Sequence, residues 1–312
     1  LGAKQDTTMT TSRVLKLARQ KLITPPPFVA GSIQYEVIMG SEAYGVSSGD
    51  SDRDVYGFCV PPKSIVFPHT VGDILGFGRQ KKRFEQYQQH HVYDKDALGG
   101  KGVEYDFSIY NIVKYFSLCM ENNPNMIDSL FVPQRCILYI TKIGQMVREK
   151  RQLFLHKGAW FKFKGYSYSQ IKKMKIKNPE PGSKRYENIK KFGFDVKFAY
   201  HVVRLLNEVE EILVEQHLTL DRNREQLKAI RRGEWTLEQV EDYFNKKEAE
   251  LETAYTESKL QHSPNEEVIK NLLLSCLEEY YGNLENCVEI PNAEKEALRE
   301  IDRTLEKVRH CL

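Results

Sequence analysis

YEVIMGSEAYGVSSGDSDRDVYGFCV, residues 35–60, holds the densest signal in this chain of 312 residues. Val37, Ile38 and Met39 form an apolar run that reads as a strand, Gly40-Ser41 as a turn, and the residues up to Ser51 as a loop of mostly small side chains. Asp52-Arg53-Asp54 then opens a second apolar run. Alternate side chains of a strand share a face, so Asp52 and Asp54 point the same way. Two carboxylates that close repel each other unless a cation sits between them. Hard divalent cations take this oxygen environment and bind alongside substrate phosphates. Gly40 permits close backbone approach, and Ser41 offers a hydroxyl and an N–H to a phosphate. A Gly-Ser pair alone is an ordinary turn, and a lone Asp-x-Asp is a solvated strand entry. Joined across ten residues behind an apolar run, they point to metal-bound phosphate chemistry.

Composition narrows the class. Hydrophobic residues make up 41% of the chain, enough for a core, and charged residues 29%, as in soluble proteins. No apolar run nears the roughly 20 residues that span a bilayer, so no membrane partner is expected. The segment LGAKQDTTMTTSR lacks the apolar stretch of a secretory signal. The six cysteines (59, 119, 136, 276, 287 and 311) show no Cys-x-x-Cys or His-Cys pairing of the zinc type. A reducing, cytoplasmic location without structural zinc is the expectation. Net charge is +3 but uneven, since residues 151–200 hold 13 Lys/Arg against 3 Asp/Glu and the remainder is acidic. That segment is expected to meet a polyanion.

Outward from residues 35–60, periodicity predicts a helix over 9–22, stopped by Pro25-Pro26-Pro27. Residues 76–102 (GFGRQKKRFEQYQQHHVYDKDALGGKG) read as a polar loop too irregular for a strand, with Arg79, Lys81, Lys82 and Arg83 available to phosphates. The His90-His91 pair is not read as a metal site, because adjacent side chains diverge and no third ligand is near in sequence. Val103–Ser108 returns to strand character, with Glu104, Asp106 and Ser108 on one face. Helices are expected over 109–121, 126–131 and 137–155. Residues 160–177 interleave Trp160, Phe161, Phe163, Tyr166 and Tyr168 with lysines, and Asn178-Pro179-Glu180-Pro181-Gly182 breaks the chain. Further helices are expected at 194–216, 223–231, 236–258, 266–281 and 292–310, with no internal repeat. The expected class is α/β (α+β): a small mixed-sheet domain over 1–132, then a mainly α-helical domain over 133–312 that closes a cleft.

Gly-Ser followed after ten residues by Asp-x-Asp resembles the signature of the DNA polymerase beta superfamily of nucleotidyltransferases. The match widens along the chain. Gly40-Ser41-x-Ala43-Tyr44-Gly45 and Ser51-Asp52-x-Asp54-x-x-Gly57 resemble the RlaP nucleotidyltransferases, the RNA-repair branch. So do Lys114-Tyr115, Asn123-Pro124-Asn125, Leu130-Phe131, and the segment Phe194 to Leu206 with Lys197, His201 and Arg204. These similarities cover most of residues 35–235. The resemblance implies transfer of a nucleotide from an NTP by metal-binding carboxylates; it does not supply the acceptor. Arg53 departs from the apolar residue that many superfamily members place there, which would let the strand begin only at Asp54.

On this reading Asp52 and Asp54 hold two Mg²⁺ (or Mn²⁺) ions, and Asp106 completes the acceptor-side ion and helps deprotonate the attacking hydroxyl. Glu104 shares that face and stays the alternative third carboxylate. Gly40 and Ser41 are assigned to the β/γ-phosphates, and Tyr44 to substrate contact or, equally, to turn packing. Lys197, His201 and Arg204 fall at i, i+4 and i+7 of a helix capped by Asp195. They are expected to form a cationic stripe that clamps the triphosphate. Lys162, Lys164, Lys172, Lys173 and Lys175 are assigned to RNA phosphates, with Tyr166 or Tyr168 stacking on a base. The competing account is a basic face packed on acidic helices downstream. The expected function is Mg²⁺-dependent transfer of a nucleoside monophosphate from an NTP to an acceptor hydroxyl, with RNA as acceptor. Protein nucleotidylation, as in minimal nucleotidyltransferases of toxin–antitoxin systems, and a non-catalytic nucleotide-binding interaction module are the competing functions.

Overall fold

A strand buried at every position needs partners on both edges and cover on both faces, and β1 (Ile33–Ile38) has all four. The computed structural model describes residues 11–47, 52–79, 82–175, 179, 181–182, 184–285 and 287, with a few positions between 297 and 305. On one edge β1 pairs antiparallel with β2 (Arg53–Cys59). β2 runs parallel to β4 (Val103–Asn111), whose other edge carries β3 (Gln86–Asp94) antiparallel. On the far edge β5 (Ile137–Ile140) pairs antiparallel with β1, giving the order β3-β4-β2-β1-β5. The sheet is therefore mixed, and it takes one strand from beyond position 132.

Two helices, α1 (Arg13–Arg19) and α2 (Pro27–Ser32), cover one face, where Val14, Leu17 and Val29 pack with Val55, Tyr105, Phe107 and Ile109. Strand alternation then turns Asp54, Tyr56, Asp106 and Ser108 to the opposite face. Between the strands run α3 (Lys63–Val66) and α4 (Ala97–Gly100), while α5 (Ile112–Met120), α6 (Pro124–Phe131) and α7 (Lys142–Glu149) surround the second face. The helical half follows as α8 (Ala159–Met174), α9 (Lys184–Phe192), α10 (Val196–Glu215), α11 (Arg224–Arg231), α12 (Leu237–Glu257) and α13 (Glu266–Tyr281). Its centre is α10, which buries Val202, Val203, Leu206, Val209, Ile212 and Leu213 against α8, α11 and α12.

The predicted mixed sheet followed by helices is what the structure shows, with four local corrections. Residues 86–94, read as loop, form β3. Its two buried apolar residues, Tyr87 and Val92, are an odd number of positions apart, so strict alternation would put them on opposite faces. A bulge between Gln89 and Val92 brings them into one core. Residues 137–155, read as one helix, begin as β5; Thr141 then starts α7 by accepting the Gly144 N–H at 3.3 Å. The Pro25–Pro27 run does more than stop a helix, since Pro27 occupies the first turn of α2. Finally, α9 was not expected, and the helix expected over 292–310 lies mostly outside the described residues. Ser51 and Lys81 lie outside them as well.

Candidate active site

The turn after β1 is wound tightly, with Tyr44 N–H donating to Gly40 O at 3.2 Å and Val46 N–H to Ser41 O at 2.8 Å. Gly40 has φ +66°, and a Cβ there would lie 2.5 Å from Asp54 Oδ2. Glycine is favoured by that left-handed backbone, and a side chain there would have to displace the Asp54 carboxylate. Met39 N–H donates to Asp54 O at 2.7 Å, tying the start of the turn to β2. Ser41 is half-buried in that turn, and Arg53, the first residue of β2, pairs with Glu42 at 3.0 Å.

Parallel pairing of β2 with β4 sets Asp54 directly opposite Asp106, and Tyr56 opposite Ser108. Burial lifts Asp54 above the ordinary carboxylate range, and the Asp106 charge lifts it further. Lys197 opposes that lift, Asp52 adds to it, and His90 also opposes it. Asp52 is exposed at the entry to β2, while Asp54 and Asp106 are half-buried. Glu104 is engaged elsewhere, with His91 Nδ1 at 2.6 Å from its Oε1. The His91 N–H donates to Asp106 Oδ1 at 2.7 Å, and His90 Nδ1 lies 3.7 Å from the same oxygen. Both histidines thus reach carboxylates of one face, against the expectation that adjacent side chains diverge. The bulge in β3 is the cause, together with the left-handed backbone of His91 (φ +57°). No local pattern announces a bulge, and regular strand alternation sets two adjacent rings on opposite faces.

The expected cationic stripe on α10 divides. Lys197 is exposed in the first turn, where Asp195 caps the helix by accepting its N–H at 2.9 Å. The His201 ring lies 4.1 Å from the Tyr200 ring, and burial pushes its pKa well down, helped by the charge of Arg204 and Lys197. Arg204 does not face a cleft: it is 5% exposed, donating to Asp128 Oδ2 at 2.5 Å and to both Glu208 oxygens at 2.9 Å. Tyr44 is enclosed in the same cluster, its hydroxyl donating to Asp128 at 2.7 Å and its ring 4.3 Å from the Arg204 guanidinium. A guanidinium removed from water needs carboxylates around it, and here α6 and α10 supply them. Tyr44 and Arg204 therefore join the turn to α10 from inside: Tyr44 takes the turn-packing alternative, and Arg204 does not form part of the expected exposed stripe.

Of the five lysines on α8 and at its C-cap, three meet protein carboxylates. Lys162 pairs with Glu121 at 3.1 Å, Lys164 with Glu248 at 2.8 Å and Glu252 at 2.9 Å, and Lys175 with Glu241 at 2.8 Å. Tyr168 donates to Glu248 at 2.7 Å. Lys172 and Lys173 are exposed, the latter 5.9 Å from the Phe198 ring.

Two facing carboxylates, one lifted by the other, fit a hard divalent cation. Among the described residues no three His, Cys, Asp or Glu side chains are gathered closely enough to hold an ion unaided. Water and substrate oxygens would complete the shell, as is common for Mg²⁺. Among the described residues no helix is long and apolar enough to cross a membrane.

Comparison with curated proteins finds no match. The comparison with protein families does: the family model of the RNA repair pathway DNA polymerase beta family, RlaP, matches residues 12–306, nearly the whole chain. A chain that carries Gly40-Ser41 against an Asp54–Asp106 pair, and matches over that length, belongs to the RlaP family of the nucleotidyltransferase superfamily named for DNA polymerase beta.

Proposed function

We propose that this protein transfers a nucleoside monophosphate from an NTP to an acceptor hydroxyl of RNA, with pyrophosphate leaving, in RNA repair or end modification. The in-register pair Asp54 and Asp106 beside the Gly40-Ser41 turn is the observation that carries this reading. Little covalent chemistry falls to the protein in such a transfer, so positioning and charge dominate. When bound, two Mg²⁺ or Mn²⁺ ions supply charge neutralisation at the attacking and leaving oxygens. Asp52 and Asp54 would hold these ions, and Asp106, across the ladder, would serve the acceptor side and take the proton from the attacking hydroxyl. Gly40 leaves room beside Asp54 for phosphate oxygens, which the Ser41 hydroxyl and N–H then bind. Lys197 adds positive charge toward the same carboxylates, and His201, against the Tyr200 ring, is held neutral by burial.

RNA as the acceptor draws its support from the family's RNA-repair description and from the exposed Lys172 and Lys173. Lys162 and Lys164 support it less, because carboxylates already engage them. Incubation with each α-labelled NTP, Mg²⁺ and either total RNA or lysate protein tests the reading. Label on RNA that disappears in Asp54→Asn is the expected result. Label on protein instead would establish nucleotidylation of a protein, and label on neither would leave a nucleotide-binding module.

A further inference from the structure

We infer that His90 supplies a nitrogen donor to the metal position beside Asp106, which gives transition ions an advantage over Mg²⁺ at this site. The inference rests on the metal reading of the site proposed above and adds a ligand to it. The bulge in β3 sets two residues, His90 and His91, opposite the single residue Asp106. His91 is committed to the protein, through its backbone N–H to Asp106 Oδ1 at 2.7 Å and its ring to Glu104 at 2.6 Å. Those two bonds fasten both carboxylates of β4. His90 is left as the ring nearest to Asp106, with Nδ1 3.7 Å from Oδ1 and a side chain that is 52% exposed.

That separation is too long for a hydrogen bond, whose N···O distance is about 2.7–3.2 Å. It is the separation of two donors that each lie roughly 2 Å from one ion, which places them about 3–4 Å apart. Asp106 lies between Asp54 on β2 and the exposed ring of His90 on β3, so His90 and Asp106 would be the two protein donors of one ion, with water completing its shell. The donor set matters for ion choice. Mg²⁺ prefers oxygen alone, whereas Mn²⁺, and Co²⁺ more strongly, accept an imidazole nitrogen.

Binding measurements on the full chain, without nucleotide, test this independently of catalysis. At about pH 8, where an ordinary imidazole is neutral, Mn²⁺ and Mg²⁺ affinities are obtained by titration and competition. Pulsed electron paramagnetic resonance of bound Mn²⁺ reads coupling to ¹⁴N. His90→Ala should abolish the nitrogen coupling and lower Mn²⁺ affinity roughly tenfold, the scale on which ligand-shell changes act, with Mg²⁺ affinity nearly unchanged. Asp54→Asn and Asp106→Asn should weaken both ions. If the aspartate variants weaken both ions but the parent shows no nitrogen coupling and His90→Ala keeps the Mn²⁺ to Mg²⁺ ratio, the role of His90 is overturned and the metal reading stands. If the aspartate variants bind Mn²⁺ as the parent does, the metal reading falls and the role of His90 falls with it.

Discussion

A methyl group at position 40 would meet Asp54 Oδ2 at 2.5 Å, on a backbone with φ +66°. Gly40→Ala should cost about 1–2 kcal/mol from the left-handed backbone and also push the Asp54 carboxylate aside. Urea unfolding with and without Mg²⁺ would register both effects, as lower stability and a smaller Mg²⁺-dependent gain. Asp54 itself carries a linked expectation. Its folded pKa is raised, so the folded chain holds a proton that the unfolded chain has already released, and stability falls as pH rises through that interval. Above it the ionised carboxylate destabilises the metal-free protein. Asp54→Asn should therefore raise the melting temperature in EDTA at neutral pH, while abolishing nucleotide transfer and the stabilisation by Mg²⁺. A variant that melts lower than the parent in EDTA would contradict the proposed repulsion.

Among the elements, α1 and α10 show how a carboxylate can dock a helix. Glu36 in β1 is fully buried and accepts the N–H groups of Arg13 at 2.6 Å and Val14 at 3.0 Å, the first turn of α1. Burial nevertheless dominates and pushes its pKa up to about 7 from 4.5. Between those values the folded chain binds more protons, so Glu36 makes stability fall as pH rises, by up to about 3 kcal/mol in all. Glu36→Gln keeps an acceptor for α1 and should flatten that slope in unfolding titrations; an unchanged slope would assign it to another group. On α10 the expected outcomes separate two cations. Lys197→Ala should weaken NTP binding while leaving the melting temperature nearly unchanged. Arg204→Ala leaves Asp128 and Glu208 buried without their partner and should cost about 3–5 kcal/mol of stability. If Arg204→Ala melts like the parent and loses only NTP affinity, the guanidinium is a ligand after all.

Across the whole molecule, the charge asymmetry resolves partly into intramolecular pairing. The basic face of α8 lies on the acidic face of α12, through Lys164 with Glu248 and Glu252, and through Tyr168 with Glu248. Exposed ion pairs are individually weak, but these lie where two long helices meet. Lys164→Glu should accordingly lower stability with little change in RNA affinity. Reversal of Lys172 and Lys173 should instead weaken RNA binding and flatten the dependence of log K on log salt, by about one unit for each phosphate no longer neutralised. An identical salt slope in parent and variant would reduce the whole of α8 to a structural face.

Local signals determined a good part of this protein. The spacing of Gly40-Ser41 and Asp52-x-Asp54, the strands around them, and the helices α10 to α13 follow from turn residues, alternation, helical period and caps such as Asp195 and Asn265. Each of these acts within a few residues of chain, so the sequence alone carries it. Tertiary structure decided the rest, because pairing and burial join residues far apart. Parallel register set Asp106 beside Asp54, and the bulge in β3 turned Glu104 to His91 and brought His90 to Asp106. An edge strand made of polar residues, with its phase shifted by that bulge, has no periodic signature. Arg204 looked like the continuation of a surface stripe, since i+7 places it near Lys197 on a helical projection. Which side of that stripe meets solvent depends on Asp128 and Tyr44, residues 76 or more positions away, whose buried carboxylate and aromatic ring draw the guanidinium inward.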